Sequence, residues 1–168
     1  MKNNYLNKIK KLLAKLPVFI FCVIFIKGYT TLFGQENSIA GVVLLVGLLM
    51  FMEGNLGFKT RQASISIIIM FGIIMISPKL SLINPYLGII INFASIFTIL
   101  SLCSANPNAN NQLTFMLGYI FFQGYDVTGL VYEKRVISII IGAVIISFLY
   151  YLINSKKESD MNVVDVLL

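Results

Sequence analysis

Apolar residues run through this chain in six stretches, and the charged residues fall almost entirely between them. The clearest stretches cover 65–76, 87–102 and 136–153. They are too long for ordinary strands and do not alternate apolar with polar residues as a membrane β-barrel does. Backbone polar groups inside lipid must bond within their own segment, so runs of this kind predict helices. A span needs about 20 residues at about 1.5 Å rise each. On that ruler the pattern predicts helices near 12–33, 38–56, 62–77, 80–103, 113–129 and 133–153. The last is the firmest: twelve residues of 136–153 are Val, Ile, Leu or Phe. Together they supply roughly −4 to −7 kcal/mol toward insertion.

Turn chemistry separates the runs. Gly34-Gln35-Glu36-Asn37 breaks the first two, and Gly54, Asn55 and Gly57 loosen the exit from the second. Pro78 is expected to close the third, and 104–111 reads as a polar, uncharged loop. The expected architecture is all-α: a polytopic membrane bundle of about six transmembrane helices over 1–155, with a short cytoplasmic tail over 156–168.

Composition makes lipid the solvent. The chain is 58% hydrophobic with a mean hydropathy of +0.88, more apolar surface than 168 residues could bury as a soluble domain. An even number of spans puts both ends on one side. With the N-terminus inside, the inner face carries nine Lys/Arg (Lys2, Lys8, Lys10, Lys11, Lys15, Lys59, Arg61, Lys156, Lys157). The outer face carries Lys79, Lys134 and Arg135, with Lys27 near it. That asymmetry predicts that both termini are cytoplasmic. It also explains the net charge of +6 without nucleic acid, through flanks drawn to anionic lipid. With no Trp, interfacial anchoring falls to Tyr29, Tyr86, Tyr125 and Tyr132 outside and to Phe58, Tyr150 and Tyr151 inside.

The chain has no His, and Cys22 and Cys103 lie in or beside apolar runs as small hydrophobes, so no metal or other cofactor is expected. There is no phosphate-binding loop and no Gly-x-Ser-x-Gly elbow, and the acidic residues are scattered. No enzyme is expected.

Several polar residues at membrane depth are candidates for binding solute. Lys27 lies about 22 Å along the first helix. It reads either as a lysine snorkelling to the headgroups or as a cation facing a cavity, with Glu36 or Asp126 as partner. Arg135 can hold a carboxylate through paired hydrogen bonds. Asn92 reads as packing glue or as a ligand contact. Glu53, with Lys59 and Arg61, marks the inner exit of the second helix, either as flank charges or as a gate. Glu53 and Asp126 are also candidates for a protonatable group. Small residues four apart, Ser138/Gly142 and Ala143/Ser147, suit close helix packing within the chain or a dimer seam.

The last third of the chain adds a resemblance. Phe115-Met116-Leu117-Gly118-Tyr119-Ile120-Phe121, then Gln123-Gly124 and Val127-Thr128-Gly129 before Arg135, resembles the fusaric-acid-resistance-like family, which includes aromatic acid exporters. Phe33-Gly34-Gln35-Glu36-Asn37, and the passage from Leu82-Ile83-Asn84-Pro85 to Gly88 and Asn92-Phe93, are similar to it too. The resemblance covers most of 17–155. It implies a six-helix half-unit, proton-coupled export of small organic anions such as aromatic carboxylates, and a second similar half. This chain carries one half, so a homodimer or a separate homologous half is the expected partner. The resemblance assigns no firm roles to Gly118, Gly124, Gly129 or Arg135. Two rivals remain open: a six-helix small-solute binding subunit of a vitamin-type uptake system, and a non-transporting scaffold.

Overall fold

A computed structural model describes the backbone of residues 2–53, 59–104 and 111–167, and the side chains of 15–51, 59–104 and 112–155. Six α-helices appear among the described residues: α1 (Lys2–Phe33), α2 (Ser38–Glu53), α3 (Thr60–Ser81), α4 (Pro85–Cys103), α5 (Asn111–Gly124) and α6 (Gly129–Leu167). A single 3-10 turn, Gln35–Asn37, joins α1 to α2. Four segments are long and apolar enough to cross a bilayer: Lys15–Phe33, Thr60–Ser81, Pro85–Cys103 and Gly129–Ser155. The fold is therefore that of an all-α membrane protein. α2 and α5 are shorter; the 14 residues of α5 rise only about 21 Å.

Neighbouring helices run up and down. The end of α1, the start of α2, the ends of α3 and α5 and the start of α6 meet at one end of the bundle, where Arg135, Asn37, Tyr125, Lys79 and Asp126 are joined by hydrogen bonds. Toward the other end Phe51 of α2 packs on Tyr150 of α6, and Ser64 of α3 bonds Ser147 of α6. α2, α3, α5 and α6 form the centre. α1 flanks it on α2 and α6, and α4 flanks it on α3 and α5. The core is built from Phe71, Phe115, Tyr119, Ile67, Met70 and Ile74, all essentially buried. Most other large apolar side chains face outward, as a lipid solvent requires.

Close approach explains the small residues on α6. A Cβ on Gly142 would come within 2.5 Å of Leu44, and Ser147 donates to the Ser64 carbonyl at 2.9 Å. Ala143 is buried, and Ser138 bonds Tyr29 of α1. These four positions pack within the chain.

Three expected boundaries are corrected. Pro78 does not close α3; it is buried inside it, and the helix continues to Ser81. Proline removes the bond its N–H would have given to residue 74. The following turn is held from outside the backbone ladder: Ser81 Oγ donates to the Pro78 carbonyl at 2.7 Å, and Lys79 is tied to Asp126. The stop comes at Asn84, whose Oδ1 accepts from Tyr86 N at 2.9 Å as the N-cap of α4, with Pro85 at the first helical position. Hence α4 begins at Pro85, not near residue 80. α5 ends at Gly124, not 129, because the Tyr125 carbonyl turns to Arg135 and Gly129, at φ +59°, opens α6 in a left-handed conformation. The expected extension of α2 to 56 lies outside the described residues.

Candidate functional site

The centre of polar organisation is Arg135, 2% exposed and about 9 Å into α6. Its Nε donates to Asn37 Oδ1 at 3.0 Å, Nη1 to the Tyr125 carbonyl at 2.7 Å, and Nη2 to the Glu36 carbonyl at 3.2 Å. The guanidinium carbon lies 5.1 Å from the Phe122 ring centroid and 5.9 Å from that of Tyr125. Among the described residues no carboxylate pairs with it. Its acceptors are neutral oxygens: the Tyr125 carbonyl just past α5, and the Glu36 carbonyl and Asn37 Oδ1 of the 3-10 turn between α1 and α2.

Asn37, fully buried, extends the clamp by donating through Nδ2 to the carbonyls of Phe33 (3.0 Å) and Val131 (3.2 Å). One guanidinium thus ties the end of α1, the 3-10 turn, the end of α5 and the start of α6. Gly34, at φ +91°, makes the chain reversal that delivers Asn37.

Next to this clamp runs a polar wire. Ser138 Oγ donates to the Arg135 carbonyl at 2.8 Å, so the Tyr29 hydroxyl, 2.6 Å from Ser138 Oγ, is the donor in their contact. Tyr29 is held by its ring. It lies in an aromatic ladder with Phe25 and Phe33 on α1 and covers Gly41 of α2, where a Cβ would stand 2.5 Å from the ring.

Tyr29 and Ser138 also line a half-open cavity of about 360 Å³ between α1, α2 and α6, whose mouth carries the exposed side chains of Ile24, Leu32, Ile141 and Ile145. The rest of its wall is almost wholly apolar: Ile24, Phe25, Gly28, Leu32, Phe33, Leu44, Leu48, Ile141, Gly142, Ile145 and Ile146. Its size is at the lower end of small-molecule sites, and an apolar wall with a few fixed polar groups is their usual chemistry.

The other sequence candidates lie elsewhere. Lys27 is exposed on the flank of α1, beside Val23 and Thr31 on one side and Gln35 and Ser38 on the other, and is not among the residues lining the cavity. Of the two partners expected for it, Glu36 and Asp126, the second is engaged elsewhere: Asp126 binds Lys79 Nζ through both oxygens at 2.8 and 3.0 Å. Lys79 also donates to the Val127 carbonyl and lies 5.4 Å from the Tyr132 ring. Both side chains of this pair are more than a third exposed, so it contributes no more than about 1 kcal/mol. Glu53 ends α2, and its side chain lies outside the described residues.

Asn92 belongs to a second polar cluster among α3, α4 and α5. Its Oδ1 accepts from Tyr119 Oη at 2.7 Å and from Gln123 Nε2 at 2.6 Å, and Gln123 also reaches Ser81 Oγ at 3.3 Å. Of the motif glycines, Gly118 packs on Val43, Gly124 ends α5 and Gly129 starts α6.

Sequence reasoning placed Tyr29 in an interfacial belt and Asn37 in a turn, and so missed both as parts of the clamp. The aromatic spacing Phe21, Phe25, Tyr29, Phe33 was the available signal that one face of α1 is built for contact. Among the described residues no three His, Cys, Asp or Glu side chains converge as a metal site requires. Comparison with protein-family profiles, curated proteins and solved structures finds no match to this chain.

Proposed function

We propose that this chain is a membrane carrier for small organic acids with an aromatic or other apolar body, exporting them across a bacterial plasma membrane with both termini in the cytoplasm. One observation carries the reading: the apolar cavity between α1, α2 and α6 is lined at its polar part by the Tyr29–Ser138 pair, which is hydrogen-bonded to the backbone carbonyl of Arg135. A ring fits the apolar wall, and a carboxylate at the polar end accepts the Tyr29 hydroxyl hydrogen in place of Ser138 Oγ, beside a buried cation with no paired carboxylate among the described residues. The inner excess of Lys and Arg supports the orientation, and the burial of Arg135 within the bundle lowers the outer loop charge further.

The test fills the cavity without touching the clamp. Gly28 lines the cavity and a Cβ there meets nothing within 4 Å, so the fold tolerates Gly28→Leu, which adds bulk at the cavity wall. In proteoliposomes loaded with radiolabelled 4-hydroxybenzoate at neutral pH, wild type is expected to release label faster than empty vesicles. Gly28→Leu is expected to slow that release about tenfold, as crowding of a packed site costs roughly 1–3 kcal/mol. Equal release from wild type and Gly28→Leu contradicts the proposal. Tight binding of a solute without movement would identify a solute-binding subunit instead.

A further inference from the structure

We propose that two copies of this chain pair through the outer face of α4, with Asn92 at the centre of the seam. The proposal stands on the polar groups of α4 and α5, and its test does not depend on transport.

Asn92 lies about 10 Å from the start of α4, inside the hydrocarbon of a spanning helix. Its Oδ1 takes two hydrogen bonds, from Tyr119 and Gln123, yet its Nδ2 donors have no acceptor among the described residues. Gln123 is the mirror case: its Nε2 is bonded twice, and its Oε1 accepts from nothing described. Both side chains are only partly buried, at the edge of an α4 surface where Ile89 and Phe93 are 70% and 73% exposed. Lipid tails offer amide groups no partner, so an unpaired donor and acceptor at this depth favour protein over lipid.

The same cluster presents one unmet donor and one unmet acceptor, which makes it self-complementary. A twofold axis along the membrane normal keeps depth unchanged. It therefore brings Asn92 Nδ2 of each copy level with Gln123 Oε1 of the other, satisfying both at once. The small-residue stripe of α6 is not available for this role, since Ser138, Gly142, Ala143 and Ser147 are packed on Tyr29, Leu44 and Ser64 within the chain.

Single cysteines at Ile89 or Phe93, placed in a chain whose Cys22 and Cys103 are changed to Ser, test the seam by oxidative cross-linking in native membranes. Val144→Cys, equally lipid-facing on α6, is the control. Disulfide dimers are expected at 89 and 93 and not at 144, with Asn92 intact. Adding Asn92→Leu to Phe93→Cys is expected to weaken dimerisation about tenfold, the effect of two interhelical hydrogen bonds of average strength. Absence of dimer at 89 and 93, or equal dimer at 144, overturns the proposal. So does unchanged dimer yield with Asn92→Leu in a protein that still folds.

Discussion

Arg135→Met is expected to destabilise the bundle by about 3–5 kcal/mol, near the top of the range for single substitutions. The side chain fills similar volume but leaves Asn37 Oδ1 and the Tyr125 and Glu36 carbonyls without their donor in a buried site. Each orphaned acceptor costs about 1–3 kcal/mol, and removal of an expensive buried charge offsets part of the sum. Arg135→Lys is expected to recover less than half, because an ammonium on a flexible stem cannot meet three acceptors held by the planar guanidinium. Reversible unfolding in mixed micelles, followed by circular dichroism, measures both. Stability of Arg135→Met within about 0.5 kcal/mol of wild type would mean the clamp does not hold the helices.

Gly88→Ala comes second in size. Its Cβ would sit 2.5 Å from the backbone carbonyl oxygen of Ser81, and a backbone atom cannot rotate away as a side-chain tip can. The α3–α4 hairpin would have to open, at about 1–3 kcal/mol. Gly72→Ala in α3 is the matched control. Nothing lies within 4 Å of its added methyl, and alanine favours a helix interior over glycine by about 0.5–1 kcal/mol. The two substitutions are therefore expected to differ in sign in the same unfolding assay.

The contrast between these glycines shows what was legible in the sequence. Helix number and membrane setting follow from lengths of apolar chain, which any reading of 65–76 or 136–153 recovers. The end of α3 was hidden because proline acts locally as a stop, whereas the turn after Pro78 is kept by Lys79 and Ser81 bonding from the side. Arg135 was legible as a possible carboxylate holder at the start of the last helix, but its partners are the Tyr125 and Glu36 carbonyls and the Asn37 side chain, brought from 10 to 99 residues away. Backbone oxygens leave no mark in sequence. The same holds for Asp126, whose pairing with Lys79 rather than Lys27 depends on which helices share an end. The cavity could not be foreseen either, since Ile24, Leu48 and Ile145 look like any other lipid-facing residues until α1 is placed against α2 and α6.

In the proposed orientation the bundle crosses the bilayer with its Arg135 end facing out. In a chain whose native cysteines are replaced by Ser, Gln35→Cys and Arg61→Cys place one thiol at each end, both at exposed positions. Labelling of intact cells with a membrane-impermeant maleimide is expected to modify position 35 at once and position 61 only after permeabilisation. Modification of 61 before permeabilisation, or of both positions equally, would contradict the account.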